Sequence, residues 1–288
     1  MFSDMKKLFL LLAVLTPLLG QAKKTTPTHV RWCSFNVRLN TKKDIPIGAS
    51  WESRRDRVCQ YLRDNKLDVV GFQEVTTSML PEMAERLPEY AYVAQGRRGT
   101  PTGDEMTPVF YLKEKYDELA HGTFWYSEHP DSVGSKCWDT PIPRIATWVK
   151  LRDKQTKRVF IALSTHFPLS SNLARTESGK LLVARTAKIA GKNPAMLGGD
   201  FNMSENHPGY AAIVGNPYVL RDAYYMSPRH TGVRYTYQQF SKIAPWEAPR
   251  GDFMFVSEQI QVTRTHFEKD IPDEPLSDHN PIWADLEF

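Results

Sequence analysis

Apolar and polar residues alternate along many short stretches of this chain, which is the pattern of β-strands that bury one face. In the last seven residues, Ile282 to Phe288, every second residue starting with Ile282 is apolar. Residues 29–38 alternate in the same way, and a short apolar run covers residues 67–75. Further strands are predicted within residues 90–95, 107–113, 144–153, 157–167, 194–202, 250–257 and 260–269.

Three stretches have the spacing of amphipathic helices instead. They cover residues 51–66, residues 76–87 and a longer segment from Asn172 to Ala190. Many strands with few intervening helices predict an α+β fold, in which two packed sheets are flanked by helices. A single domain over residues 25–288 fits this organisation, because composition does not change abruptly along it.

The first residues have the layout of a signal peptide, predicted to cover residues 1–22. Lys6 and Lys7 precede an apolar run from Leu8 to Leu19, and small residues follow at Gly20 to Ala22. The run is shorter than the roughly 20 residues that span a bilayer, so no stable membrane insertion is expected. The predicted destination is the periplasm or the outside of the cell, and the signal is bacterial in style.

Composition and charge narrow the classes of function. The chain has 288 residues, of which 41% are hydrophobic, and a formal net charge of +4. That charge is too mild for a polybasic nucleic-acid binder. Three cysteines, Cys33, Cys59 and Cys137, allow one disulfide and lack the spacing of a zinc site. The sequence has no G-x-S-x-G motif, which disfavours a serine-nucleophile hydrolase. Oligomeric state is not readable.

Polar side chains stand at the end or the entrance of six predicted strands. They are Asn36, Gln73 with Glu74, Thr165 with His166, Asp200 with Asn202, Asp252, and Asp278 with His279. Any one of them is better explained as a turn or a cap, but six such sets converge on one rim if the strands lie side by side. Carboxylates and amides suit Mg²⁺ or Mn²⁺, and histidines beside them suit acid–base chemistry. The pattern predicts metal-assisted hydrolysis of a phosphoester.

Six motifs, in their order along the chain, resemble the endonuclease/exonuclease/phosphatase family, whose fold is that of deoxyribonuclease I. They are FNVR, GFQEV, STHF, GGDFN, RGDFMFV and LSDHNP, and they extend from Phe35 to Pro281. The chain resembles secreted bacterial members and the deadenylase and nocturnin branch. The resemblance implies a four-layer β-sandwich of two mixed sheets flanked by helices, with the active site at one rim.

The resemblance also implies roles for individual residues. Glu74 would be the principal ligand of Mg²⁺ or Mn²⁺, with Asn36 and Asp278 close by. Asp200 would orient or deprotonate the attacking water, and Asn202 would hold that water or a phosphate oxygen. Whether one metal ion or two operate is left open.

Further implied roles concern the charge on the phosphate. His279, oriented by Asp252, would act as a base or as an electrostatic clamp. His166 is the residue found in deoxyribonuclease I, sphingomyelinases and deadenylases, and Glu105 would orient it. Arg144 resembles the arginine that faces the phosphate, although a strand-edge arginine that only solubilises is an equal alternative.

The preferred substrate is a phosphodiester, with 3′-to-5′ exonuclease-like cutting of single-stranded nucleic acid favoured. A phosphomonoesterase acting on a sugar or inositol phosphate is the first alternative. A sphingomyelinase-type activity lacks the exposed apolar hairpin it would need, and a catalytically silent binding protein conflicts with the complete set of site residues. Trp138 is the preferred candidate for stacking on a base, whereas Trp125 and Tyr126 are expected in a strand core.

Overall fold

The computed structural model describes residues 26–288, so the predicted signal peptide over residues 1–22 lies outside the described residues. The strands are β1 His29–Asn36, β2 Val69–Gln73, β3 Val75–Thr76, β4 Tyr90–Val93, β5 Glu105–Met106, β6 Val109–Leu112, β7 Tyr116–Trp125, β8 Ile145–Asp153, β9 Val159–His166, β10 Ala195–Asp200, β11 Leu220–Asp222, β12 His230–Gly232, β13 Asp252–Ser257, β14 Gln261–Phe267 and β15 Ile282–Glu287. The α-helices are α1 Trp51–Asp64, α2 Met79–Arg86, α3 Asn172–Ala190, α4 Pro208–Val214 and α5 Ala223–Met226. A 3₁₀ helix covers Lys42–Ile47.

Most of the strands form two mixed sheets. The first sheet has seven strands in the order β12-β14-β15-β1-β2-β6-β4, and the second has six in the order β11-β13-β10-β9-β8-β7. Strands β1 and β2 run parallel, and so do β9 and β10, while β15 and β13 run antiparallel to their neighbours β1 and β10. The two short strands β3 and β5 form a separate two-stranded pair.

Three apolar cores separate four layers. The central core lies between the sheets and contains Trp32, Phe160 and Met254. A second core joins the outer face of the first sheet to α1 and α2, and a third joins the outer face of the second sheet to α3 and α4. The predicted four-layer α+β sandwich is therefore confirmed.

The two long helices begin where the sequence offers a capping serine. The Ser50 side chain accepts a hydrogen bond from the backbone N–H of Ser53 at the start of α1, and Ser171 accepts one from Ala174 at the start of α3. Within residues 26–288, helices long and apolar enough to cross a membrane are not found. The three cysteines are buried and unpaired, so the optional disulfide is absent from this structure.

The two sheets approach each other closely just below the rim that carries the polar strand ends. A Cβ atom at Gly71 of β2 would lie 2.8 Å from Cβ of Ser164 in the facing β9, and one at Gly198 of β10 would lie 2.7 Å from Cβ of Ser34 in β1. The buried Gln73 amide donates to Ser164 Oγ across the gap at 3.0 Å. Small side chains thus set the spacing of the sheets at the level of the site.

Substitution of Gly71 by alanine is expected to destabilise the fold by about 1–3 kcal/mol, because the added methyl group must force the sheets apart. The measurement is urea unfolding, with a lower midpoint at an unchanged slope. Gly251→Ala is the matched control, since a Cβ there meets nothing within 4 Å. Equal midpoints for the two variants would contradict the close-packing argument.

Candidate functional site

Of the polar strand ends predicted from the sequence, six residues line one cleft of about 420 Å³: Glu74, His166, Asp200, Asn202, Asp278 and His279. Asn36 and Asp252 do not line it but contact Asp200 and His279, whereas Gln73 and Thr165 are buried away from it. The cleft opens where β1, β2, β9 and β10 end and where β13 begins. Strand register brings its members together, because Asp200 pairs with His166 on one side and with Asp252 on the other. The lining residues are Arg38, Glu74, Arg144, His166, Leu169, Asp200, Asn202, Met203, Ser204, Tyr237, Pro249, Arg250, Gly251, Asp278 and His279.

Strand alternation explains why these side chains point between the sheets. In β9, Phe160 and Ala162 face the central core, and His166 continues the same face at the end of the strand. In β10, Met196 faces the central core, and Asp200, four residues later, lies on the same face of the strand. Glu74 is different, since alternation alone would send it toward the helix layer that holds Phe72. Its left-handed backbone, with φ +62°, turns the carboxylate to the cleft.

Asp200 contacts several other residues of the site. Its Oδ2 lies 3.4 Å from His166 Nε2 and 3.8 Å from His279 Nε2, and it accepts a hydrogen bond from Asn36 Nδ2 at 3.1 Å. Its Oδ1 accepts the backbone N–H of Asn202 at 2.9 Å. Burial would raise the pKa of Asp200, but the charges of His166 and His279 and the Asn202 N–H lower it. The carboxylate is therefore ionised and suited to accept a hydrogen bond from water.

His279 is held as a cation. Its Nδ1 lies 2.8 Å from Asp252 Oδ2, and both side chains are buried. Burial would lower the pKa of His279, but the charge and hydrogen bond of Asp252, together with Asp200, raise it well above its ordinary value. Of the two roles expected for His279, the electrostatic clamp fits this protonation state.

Glu105 links His166 to two arginines. Its Oε1 lies 2.6 Å from Arg97 Nη1 and 3.5 Å from both Arg144 Nη1 and His166 Nδ1. Burial opposes ionisation, but His166, Arg97 and Arg144 outweigh it and lower the pKa of Glu105 to about 2. Arg144 is thereby fixed at the cleft, with Nη1 buried and without a hydrogen-bond acceptor in the described part of the chain. Of the two interpretations of Arg144, the phosphate-facing one fits this placement.

The donor set fits a hard divalent cation. Donor atoms of Glu74, His166 and Asp200 lie within 4.8 Å of one another, and the buried carboxylate of Asp278 lines the same cleft. Oxygen donors of this kind are preferred by Mg²⁺ and Mn²⁺. Glu74 would hold the ion, with Asp278 beside it. When bound, such an ion supplies charge neutralisation at a phosphate oxygen and a lowered pKa for bound water.

Asn36 is placed beside the predicted metal ligands, with its amide nitrogen toward them. Nδ2 donates to Glu74 Oε1 at 3.2 Å and to Asp200 Oδ2 at 3.1 Å. Oδ1 accepts the backbone N–H of Arg38 at 3.0 Å. In this arrangement Asn36 positions two carboxylates, and direct ligation of a metal ion would require its amide to turn over.

The remaining groups describe a site for in-line hydrolysis. Asp200 can orient a water molecule, while His279, His166 and Arg144 surround the position where negative charge would grow on a phosphate. Asn202 lines the same cleft and is held by its Nδ2, which donates to the Phe167 carbonyl at 3.0 Å. These side chains are placed so that they could together bind a phosphate, hold water and stabilise charge.

Three residues of the site, Arg38, Arg97 and Tyr237, were not predicted from the sequence. Arg38, inside the FNVR motif, lies 3.6 Å from Asp278, and its motif position is a signal that points to it. Arg97 and Tyr237 lie outside the motifs, so no pattern marks Arg97 as the partner of Glu105 or Tyr237 as the ring 4.9 Å from that of His279.

The placement of Trp138 corrects the expectation that this residue stacks on a base in the cleft. Trp138 packs half-buried against the third core and does not line the cleft, because its loop folds back on the sheet.

Two buried polar residues hold the loop that carries Asp278. The backbone N–H of Gln238 donates to the Asp278 carbonyl at 3.0 Å, and its side-chain Nε2 donates to the Ser277 carbonyl at 2.9 Å. From below, Arg54 Nη1 donates to the Leu276 carbonyl at 2.7 Å. Burial lowers the pKa of Arg54 to about 10. These bonds fix the height of Asp278 at the rim.

Comparison with known proteins agrees with this geometry. The profile of the Endonuclease/Exonuclease/phosphatase family matches residues 33–279. The chain belongs to this family. Its members are hydrolases that act on phosphoester bonds and depend on divalent metal ions. The sequence-based assignment to the family is therefore confirmed.

Individual relatives show how similar this chain is to known proteins in sequence and in structure. A family member from Bacteroides vulgatus has 41% sequence identity and a TM-score of 0.88, over 91% of this chain and 99% of that one. The mannosyl-6-phosphatase Bt3783 of Bacteroides thetaiotaomicron has 30% identity and a TM-score of 0.83, over 90% and 100%. Among curated sequences, Drosophila melanogaster nocturnin is 24% identical over 58% of this chain, which spans 26% of that relative's length.

Proposed function

We propose that this protein is an exported, Mg²⁺- or Mn²⁺-dependent phosphoesterase that removes phosphate from a small phosphorylated sugar. The observation that most directly supports this proposal is the distribution of charge around the cleft. Arg144, His166 and His279 line the cleft together. Each of its three arginines, Arg38, Arg144 and Arg250, already contacts a carboxylate, so the cleft has little positive charge to spare for further phosphates. A substrate with a single phosphate suits such a site better than a polyanionic strand does.

Similarity supports the same substrate class. The relative named a mannosyl-6-phosphatase is matched over its full length at 30% identity. The predicted signal peptide supports export, and an exported enzyme would act on phosphorylated sugars outside the cytoplasm.

A second candidate is the hydrolysis of a phosphodiester at the end of a single strand, the function preferred from the sequence. It is favoured by Trp246, which is 84% exposed in a loop whose next residues, Pro249 to Gly251, line the cleft. An exposed indole beside a nuclease cleft can stack on an unpaired base.

One assay separates the two candidates. Mannose phosphate and p-nitrophenyl phosphate are compared with bis-p-nitrophenyl phosphate and a short single-stranded oligonucleotide, with Mg²⁺ or Mn²⁺ and then with EDTA. The proposal expects kcat/KM for mannose phosphate to exceed that for either diester by at least about tenfold, and to vanish with EDTA, because the metal ion supplies several kcal/mol of charge stabilisation. Preferred turnover of the diesters would replace it with the second candidate.

A further inference from the structure

A second cavity, here called the side cavity, adjoins the cleft. Its volume is about 510 Å³, and it shares Ser204, Pro249 and Arg250 with the cleft. Ser204 follows Asn202 by two residues, so the side cavity begins beside the phosphate position. A group esterified to a phosphate in the cleft has this cavity as its neighbouring space.

The side cavity contains a carboxylate that is fixed in place. Glu205 accepts a hydrogen bond from Arg250 Nη1 at 2.7 Å and another from the Tyr225 hydroxyl. Arg250 is itself anchored, since Nη2 donates to Asp222 at 2.8 Å and its guanidinium lies 4.5 Å from the ring centroid of Phe253. A carboxylate held at this point loses little entropy when it binds a ligand.

The other polar groups of the side cavity complement hydroxyl groups. Arg234 lies 3.4 Å from Glu205 and is mostly exposed, and Asn206 is exposed beside it. A carboxylate accepts two O–H bonds, while a guanidinium and an amide donate to hydroxyl oxygens. Pro245 and Ala248 supply an apolar wall. Acceptors, donors and an apolar face together match a sugar ring, which has hydroxyls at its edge and C–H groups on its face.

The same groups are unfavourable to a nucleic-acid strand. A strand that continued from the cleft would bring its next phosphate toward Glu205, and like charges a few Å apart repel each other. Arg234, the exposed cation of the cavity, is already paired with that carboxylate.

We propose that the side cavity is the binding site for the sugar moiety of the substrate, with Glu205, Asn206 and Arg234 contacting its hydroxyl groups. The inference rests on the proposed phosphoesterase function and adds the residues that select a hexose over other alcohols. Pro245 and Ala248 pack against the ring face.

The test compares a sugar ester with an ester that lacks hydroxyls. Glu205→Gln is expected to lower kcat/KM for mannose phosphate by about 10- to 100-fold, because a charged hydrogen-bond acceptor is lost, and to change that for p-nitrophenyl phosphate less than about threefold. Glu247→Gln, in the exposed neighbouring loop and outside the cavity, is the matched control. Equal losses on both substrates would overturn the proposal, as would an unchanged preference for mannose phosphate.

Direct binding separates this inference from the proposed function. Methyl mannoside, which carries no phosphate, is titrated into wild type, Glu205→Gln and Arg234→Ala, and binding is followed by ligand-observed NMR. The proposal expects binding to the wild type and its loss in both variants. Binding without monoester turnover would keep the sugar site and reject the sugar phosphatase, whereas turnover without binding, or binding unaffected by either substitution, would reject the sugar site alone.

Discussion

Asp200→Asn is expected to lower kcat by about 10²- to 10³-fold, because the attacking water loses the carboxylate that accepts its hydrogen bond and orients it. The carboxylate contacts Asn36 and both histidines of the cleft. An amide of the same shape keeps the acceptor for the Asn202 N–H but presents N–H groups to Asn36 and to the water. Water is then no longer oriented for in-line attack.

The measurement for Asp200→Asn is steady-state turnover of p-nitrophenyl phosphate or mannose phosphate, with thermal unfolding recorded in parallel. Asp117→Asn, on β7 and paired with Arg152, is the matched control, because it removes a carboxylate outside the cleft. A variant with a native melting temperature and a kcat within tenfold of wild type would remove Asp200 from the mechanism. Since its pKa is lowered, Asp200 is expected to act more by orienting water than by holding its proton.

Glu74→Gln is expected to weaken Mn²⁺ binding by at least about 100-fold, since loss even of a group that only supports a ligand costs 10–100-fold. Glu74 is half-buried at the cleft, and its carboxylate is aimed there by a left-handed backbone. A neutral amide there leaves one fewer negative charge to balance the divalent ion. Turnover should fall by a comparable factor when Mg²⁺ or Mn²⁺ is limiting.

Calorimetric titration with Mn²⁺ checks the Glu74 expectation without reference to activity. Glu85→Gln on α2 is the matched control, because that carboxylate is 82% exposed and lies outside the cleft. Partial recovery of turnover at high metal concentration would mark Glu74 as a metal ligand. Native Mn²⁺ affinity in Glu74→Gln would assign the ion to other carboxylates of the rim.

The sequence predicts many regular parts of this fold, because they carry periodicity and end signals, but it misses the ten-residue strand β7 except for its end at Trp125. Helix α3 begins at Asn172 and ends at Ala190, as expected, since Ser171 caps it and Gly191 follows it. Strands β3, β5, β11 and β12 have two or three residues each and so no period to detect. Their existence depends on contacts made after the chain has folded.

The sequence predicts which residues form the candidate site, but it does not predict the contacts between them. Motifs place His166 and Asp200 at strand ends, where alternation gives their direction, and place His279 in the loop before β15. The left-handed turn at Glu74 and the bond from Arg97 to Glu105 depend on backbone geometry and on a loop contact, which sequence spacing does not encode. Trp138 shows the same limit, because an aromatic residue in a polar loop gives no indication of which surface that loop covers.

The cleft is assembled from both sheets. Asn36 comes from the first sheet and His166, Asp200 and Asp252 come from the second, across the narrow gap at Gly71 and Gly198. Neither half of the sandwich carries a working fragment of the chemistry. Heat inactivation and global unfolding should therefore be a single event, and turnover itself can serve as a reporter of whether the two halves of the molecule are still joined.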